Sequence, residues 1–388
     1  MVVTATDLLQ EGLALHRRGA TAEAAARYRQ VLRTDPGNAD AHYYLGMMAC
    51  QHGRFADGAE NARKALASDP HHARACVLLG RALAALGQHE EALASFDRAI
   101  ALAPELAQAH GHRADALSAL GRNAEAVDSY DRALALAPDV VEDWFNRGAA
   151  LIDLGRHAEA IVSFDRAIAG KPDFVDAHLR RAKALTDLDR EREALTTIDN
   201  VLARQPGLPE AWLGRGNVLW KLKRREEASA AFDRALELKA DLAEAWLGRG
   251  NVLFDQLRYE SAAAAYGKAL AIKPELHNAA SLRVLAKLYI CDWTNLEDEI
   301  AALLKASREK PRSGGDFPLT AIPSSPPISC NSPSAMWTIG RRFRRCGAVK
   351  STLASAFALP TCRPTSTSIQ TAIWRLACLS STTDRGLR

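Results

Sequence analysis

The chain contains 388 residues, of which 48% are hydrophobic and 25% are charged, and its formal net charge is +4. No stretch approaches the roughly 18 apolar residues of a membrane-spanning helix, and no apolar segment follows a basic start. We therefore expect a cytoplasmic protein without a secretory signal. The charge is unevenly divided: residues 1–309 carry a net charge of −5, whereas residues 310–388 carry +9.

A proline returns every 34 residues along most of the chain. It stands at Pro36, Pro70, Pro104, Pro138, Pro172, Pro206 and Pro274, and Ala240 is the one interruption. When this proline is numbered position 32, eight repeats run without insertion from residue 5 to residue 276. A 34-residue period of this kind is typical of a helix–turn–helix unit that stacks on its neighbours.

Each repeat carries the residues that two closely packed helices, A and B, require. Small residues recur at positions 8, 20 and 27, leucine recurs at position 11, and an aromatic residue recurs at position 24. Glycine stands at position 15 of the first five repeats, where the turn between the helices favours a left-handed residue. The proline at position 32 ends helix B.

This pattern resembles the tetratricopeptide repeat (TPR) family over residues 5–276. The resemblance implies an all-α fold: a right-handed superhelical solenoid of antiparallel helix pairs, with helix A of each repeat lining a concave groove. We expect C-terminal capping helices at 277–309, a linker at 310–326 and a disordered tail at 327–388.

The groove is predicted to hold a protein partner. Positions 2, 5, 9, 12 and 13 of helix A are expected to face it, with an apolar floor and mixed polar edges. The candidate binding residues are Phe145, Asn146, Leu179, Leu213, Asn217, Trp220, Leu247, Asn251 and Phe254. They suit an extended peptide or a partner helix. The alternative is that some of them only pack against the next repeat.

Position 2 is acidic in four consecutive repeats, at Glu142, Asp176, Glu210 and Glu244. This acidic edge disfavours recognition of a peptide's terminal carboxylate. We predict no small-molecule substrate and no cofactor.

Histidine and cysteine do not have the spacing of a metal site. His42, His110 and His178 share position 4 of helix A, which is normally a packing position. Cys330, Cys346, Cys362 and Cys378 lie 16 residues apart, without a short-spaced pair. We therefore predict no metal ion.

Charged residues also repeat in a second register. Position 25 of helix B is aspartate and position 7 of the following helix A is arginine in five consecutive pairs, each separated by 16 residues. The pairs are Asp97–Arg113, Asp131–Arg147, Asp165–Arg181, Asp199–Arg215 and Asp233–Arg249. We predict a ladder of ion pairs between repeats. The alternative is a set of solvated charges retained by duplication of one repeat.

Beyond the repeats, Cys291, Asp292, Trp293 and Thr294 form a short motif. It resembles the junction of the bacterial O-linked N-acetylglucosamine transferase (SPINDLY-like) family, and Asp316–Pro326 is similar to the linker of bacterial members. In that family the repeats recruit protein substrates for a glycosyltransferase domain that uses a uridine-diphosphate sugar. This chain departs from the family because its groove asparagines are few and only about 60 residues follow Pro326.

Residues 327–388 contain no glutamate and one aspartate and have neither helical nor strand periodicity. Such composition is typical of GC-rich coding sequence read in a shifted frame, and a one-base shift can be chosen that gives segments similar to the transferase family. The other interpretation is a native disordered segment. Because we attribute the basic charge to this origin, we predict no nucleic-acid or membrane partner.

Two functional hypotheses follow. The first is the substrate-recruiting part of an O-linked N-acetylglucosamine transferase-like enzyme, truncated before its catalytic domain and without catalytic residues. The second is a stand-alone TPR adaptor for assembly of a protein complex. Both predict a protein-binding scaffold.

Overall fold

The computed structural model describes residues 4–290, 292, 294–296, 298–300 and 302–303. The predicted linker at 310–326 and tail at 327–388 lie outside the described residues, as does the predicted end of the cap at residue 309. None of the helices in the described part of the chain is long and apolar enough to cross a membrane.

Helices A and B alternate along the repeats, so the predicted all-α fold of helix pairs is confirmed for the described residues. Their bounds are α1 (Ala5–Arg17), α2 (Thr21–Thr34), α3 (Ala39–Gln51), α4 (Phe55–Ser68), α5 (Ala73–Ala85), α6 (His89–Leu102), α7 (Ala107–Ala119), α8 (Asn123–Leu136), α9 (Val141–Asp153), α10 (His157–Gly170), α11 (Val175–Asp187), α12 (Glu191–Arg204), α13 (Pro209–Lys221), α14 (Arg225–Leu238), α15 (Ala243–Asp255), α16 (Tyr259–Ile272) and α17 (His277–Tyr289). Odd-numbered helices up to α15 are helices A, and α17 follows the eighth repeat.

The chain divides into an N-terminal body, Met1–Arg204, and a C-terminal body, Gln205–Arg388. Within each body, each helix A packs against the helix B that follows it, and helices A of successive repeats also contact one another. In six of the eight repeats an aromatic ring from helix B occupies the core, and Ala62 and Ile198 take its place in repeats 2 and 6. Phe164, for example, is fully buried, and a Cβ built on Gly148 would lie 2.6 Å from it. The small residue at position 8 is therefore needed for the close approach of helices A and B.

The turn between helices A and B uses a left-handed residue in every repeat. The five glycines at position 15 have φ between +72° and +79°. In the last three repeats Asp189, Lys223 and Leu257 take the same place, with φ between +56° and +61°. A side chain in this conformation costs roughly 1–2 kcal/mol, so these three turns are less favourable than the five with glycine.

Side chains at position 4 of helix A form a hydrogen bond with the turn that precedes that helix. His110 Nε2 donates to the carbonyl oxygen of Pro104 at 2.9 Å, and Trp144 Nε1 donates to that of Pro138 at 2.9 Å. The same contact recurs for His42, His178, Trp212 and Trp246. The sequence predicted these histidines to be packing residues. The recurrence of histidine or tryptophan at position 4, both with a ring N–H donor, was the signal for this hydrogen bond.

The predicted ion-pair ladder is confirmed for the four pairs that lie within one body. Arginine Nε lies 2.6 Å from aspartate Oδ1 in Asp97–Arg113, Asp131–Arg147 and Asp165–Arg181, and 3.0 Å away in Asp233–Arg249. The fifth pair, Asp199–Arg215, joins residues of different bodies and stays a prediction.

Three of these arginines also bind a hydroxyl that the repeat pattern did not predict. Nη1 of Arg113, Arg147 and Arg181 donates to Ser129 at 2.6 Å, Ser163 at 2.7 Å and Thr197 at 2.8 Å. Each hydroxyl residue lies 16 positions after its arginine and is buried. Each guanidinium therefore joins three consecutive helices, because its two nitrogens reach helices B on either side of its own helix A.

Candidate protein-binding surface

In each body separately, we call the surface formed by positions 2, 5, 6, 9, 12 and 13 of its helices A the A-face. Three of the nine candidate residues lie on the A-face of the N-terminal body: Phe145, Asn146 and Leu179. The other six belong to the C-terminal body. The structure therefore presents the predicted binding residues as two sets, which we describe separately.

In the N-terminal body, Phe145 is half-buried and its ring lies 4.7 Å from that of Phe174, between centroids, just before α11. The guanidinium of Arg180 stands 5.3 Å from the centre of the Phe145 ring. Asn146 donates its side-chain N–H to Asp115 at 3.1 Å, and Leu179 is half-buried. Phe145 thus contributes both to packing between repeats and to the A-face.

In the C-terminal body, Leu213 and Leu247 are half-buried and pack with Trp246 on core clusters. Asn217 is exposed, whereas the Asn251 side-chain oxygen accepts a hydrogen bond from the Tyr266 hydroxyl at 3.0 Å. Of the two asparagines, Asn217 alone keeps its side chain on an open surface.

Trp220 and Phe254 share position 12 but differ in environment. Trp220 is half-buried and donates its indole N–H to Asp255 at 2.9 Å. Phe254 is only 8% exposed and packs edge-on against Tyr259 and Tyr289, with ring centroids 5.0 and 5.7 Å apart. Phe254 is therefore a core residue, contrary to the expectation that its ring lines the groove, because these two tyrosines cover it.

A polar cluster that the sequence analysis missed lies where repeats 4 and 5 meet. Asp115 Oδ1 accepts hydrogen bonds from the Tyr130 hydroxyl at 2.6 Å and from Asn146 at 3.1 Å, while His112 Nδ1 lies 3.5 Å from Asp115 Oδ2. Burial by itself would raise the pKa of Asp115, but the hydrogen bonds with His112, Tyr130 and Asn146 outweigh it, and the pKa is lowered. The cluster stabilises a charged Asp115 on the A-face.

A second carboxylate belongs to this cluster. Asp143 stands at position 3, where repeats 2 to 4 and 6 to 8 have a buried alanine. Its carboxylate lies against Gly111: a Cβ placed on that glycine would be 3.0 and 3.1 Å from the two carboxylate oxygens. Burial, and then the nearby Asp115 charge, raise the pKa of Asp143 to about 6. The paired departures from the repeat pattern at Gly111 and Asp143 were the available signal.

The acidic edge at position 2 is partly neutralised. Glu210 lies 3.8 Å from Lys239 Nζ, and Glu244 lies 3.0 Å from Lys273 Nζ. In both cases the lysine follows helix B of the same repeat. These pairs reduce the local negative charge on which the argument against carboxylate recognition depended.

Comparison with known proteins identifies the family of the chain. Profiles described as tetratricopeptide repeat match residues 49–107, 112–174, 151–207, 209–241 and 243–276, and one described as TPR repeat matches residues 12–48. No curated protein sequence matches the chain. Together the matched segments cover more than half of the chain.

Solved structures share the fold at low sequence identity. A tetratricopeptide repeat protein from Parabacteroides merdae is 19% identical, with a TM-score of 0.51 over 64% of this chain and 98% of that one. The C-terminal part of a TPR repeat-containing protein from Cytophaga hutchinsonii is 14% identical, with a TM-score of 0.50 over 62% and 98%. YrrB, a TPR protein with an unusual peptide-binding site, is 23% identical, with a TM-score of 0.45 over 48% and 96%. From the profiles and the shared fold, we conclude that this chain belongs to the tetratricopeptide repeat family.

Proposed function

We propose that the protein is a scaffold that binds a protein or an extended peptide on its A-face. The observation that carries this proposal is the half-buried state of Phe145, Leu179, Leu213, Trp220 and Leu247 along successive helices A. Half-buried apolar side chains on a rigid support are suited to act as anchors, because they can lose further exposure with little conformational cost.

The ion-pair ladder also favours binding on the A-face, because its arginines lie on the opposite side of each helix A. Because each of Arg113, Arg147 and Arg181 joins its helix A to two helices B, part of the contact between repeats does not depend on A-face residues. The A-face side chains that stay half-buried are then available for a partner.

A crosslinking experiment tests the proposal. A photo-reactive amino acid is placed at Asn217 on the A-face, and at Val162, which is 56% exposed on helix B of repeat 5, as the matched control. We expect peptides from a displayed 12-residue library to crosslink at Asn217 and not at Val162. Equal capture at both positions, or capture at neither, would contradict the proposal.

As a narrower version, we propose that the scaffold is the substrate-recruiting part of a glycosyltransferase related to O-linked N-acetylglucosamine transferases. This version depends on the motif at 291–294, whose residues Cys291 and Trp293 lie outside the described residues. The comparisons lend it no support, and the adaptor hypothesis agrees equally well with them. The nucleotide sequence around codons 324–330 separates the two, since the narrower version expects an open frame, one base over, that continues for several hundred codons.

A further inference from the structure

A contact between the start of helix B and the next helix A recurs along the repeats. Position 17 faces an aspartate at position 13 of the following repeat. Side-chain atoms lie 3.3 Å apart in Asn123–Asp153 and 3.8 Å apart in both His157–Asp187 and Arg225–Asp255. In these three places polar side chains occupy the space at the end of the A-face.

Between repeats 2 and 3 the same two positions hold Phe55 and Ala85. Neither can form the polar contact, and a cavity of about 290 Å³ opens there between α3 and α5. Its lining is mainly apolar or small, with Met47, Cys50, Phe55 and Ala85, while Gln51 and Arg81 supply the polar groups. The cavity therefore coincides with two departures from this polar pairing, of which the alanine at position 13 recurs at Ala119.

The size of the cavity limits what it can hold. A volume of about 290 Å³ lies at the lower limit of the roughly 300–1,000 Å³ of pockets that enclose drug-sized ligands, which suits a single side chain of a peptide.

Helix α5 carries two arginines, one of which, Arg81, lines the cavity. Position 2 of helix A is acidic in five of the eight repeats, whereas it is arginine, Arg74, in repeat 3. Arg81 lies two turns further along α5. Among the described residues, neither arginine has a carboxylate within ion-pair distance. Both are near enough to Tyr43 to oppose the rise that burial gives to the pKa of its phenol.

We infer that this cavity receives one large apolar side chain of a partner peptide, and that Arg81 and Arg74 hold an acidic residue next to it. The inference rests on the proposed function and names its first anchor on the N-terminal body. An arginine fork suits a carboxylate, and a half-enclosed apolar cavity excludes water from the bound side chain.

The test uses methionine methyl NMR on the full chain, with Met47 assigned by the Met47→Leu variant. The probes are three nine-residue Gly-Ser peptides with a central Asp-Phe-Asp, Asp-Ala-Asp or Lys-Phe-Lys. We expect Asp-Phe-Asp to shift the Met47 methyl signal, and the other two to bind at least about fivefold more weakly, because one loses the apolar group and the other places cations beside Arg81.

Variants separate the cavity from a general effect. Ala85→Leu should fill the cavity and abolish the Met47 shift, whereas Ala119→Leu, the same change at the same position one repeat later, should not. Arg81→Glu should weaken binding of Asp-Phe-Asp at least tenfold and improve binding of Lys-Phe-Lys. The inference is wrong if Met47 does not respond up to millimolar peptide, if Ala85→Leu keeps the response, or if the three peptides bind equally.

The test is also separate from that of the proposed function. A shift of the Trp220 indole signal without one at Met47 would leave A-face binding in place and remove this cavity as an anchor. Crosslinking at Val162 as strongly as at Asn217 would overturn the proposed function, whatever Met47 does.

Discussion

Replacement of Arg147 by methionine should destabilise the N-terminal body more than the same change at Arg249 destabilises the C-terminal body. Arg147 is 14% exposed and binds both Asp131 at 2.6 Å and Ser163 at 2.7 Å. Arg249 is 36% exposed and binds Asp233 at 3.0 Å, with alanine at the position of the hydroxyl partner. The two arginines thus differ by one buried hydrogen bond.

The magnitude follows from these contacts. The pair with Asp131 contributes about 0–1 kcal/mol, because the aspartate is 52% exposed. A charged hydrogen bond to a buried hydroxyl contributes about 1.5–3 kcal/mol. Ser163 also donates to the Glu159 carbonyl at 3.1 Å, so the loss falls at the lower end of that range. We expect Arg147→Met to cost about 1.5–2.5 kcal/mol and Arg249→Met to cost about 1 kcal/mol or less.

Amide hydrogen exchange is the suitable assay, because cooperativity can break down in arrays of repeats and a single melting temperature then averages over them. A loss of about 2 kcal/mol should speed exchange of the most protected amides of α8, α9 and α10 by roughly 30-fold. Exchange in α1 to α4 should change little. Urea unfolding followed by circular dichroism supplies the overall free energy for comparison.

A double-mutant cycle identifies the cause. In the background of Ser163→Ala, Arg147→Met should cost about 1 kcal/mol less than in the wild-type protein, because the shared hydrogen bond is already absent. Coupling below about 0.3 kcal/mol would refute the reasoning. So would equal losses for Arg147→Met and Arg249→Met, since burial of the second partner would then not matter.

Three further outcomes are expected. Leu257→Gly should stabilise the C-terminal body by about 1 kcal/mol in urea unfolding, because φ of Leu257 is +61° and glycine adopts this conformation without strain. Gly155→Leu should destabilise the N-terminal body by a similar amount, and unchanged stability in both variants would contradict the strain argument. Phe254→Ala should lower the free energy of unfolding by about 3–4 kcal/mol, because it deletes a core side chain. Trp220→Ala should lower it clearly less, because Trp220 is half-buried, and equal losses would contradict the different environments of the two rings. The pKa of Asp143 is raised from 3.8 to about 6, so stability should fall as pH rises from about 3.8 to about 6 and then level off, since the unfolded chain releases the proton first. After allowance for solvent screening, Asp143→Asn should be about 1–2 kcal/mol more stable than wild type at pH 7.5 and similar below pH 4, and a constant difference across pH would rule out the ionisation.

The repeat period determined the helix pairs, the tight turns and the ion-pair ladder. A fixed spacing of 34 residues means that two positions which meet in one repeat meet in all of them. The 16-residue offset between Asp131 and Arg147 was therefore enough to place their side chains together. The second partner, Ser163, lies 16 residues in the other direction, and its burial gave no sign in the sequence because serine is common on exposed helix faces.

Only the tertiary structure decided which A-face residues stay open. Trp220 and Phe254 occupy the same position and were predicted to behave alike, but Tyr259 and Tyr289 cover Phe254. Whether an aromatic ring is accessible depends on the side chains of adjacent helices, which vary independently of the period. The cavity at Phe55 and Ala85 likewise depends on side chains that vary independently of the period, because both residues of this pair, 30 positions apart, lack the polar groups that three other pairs supply.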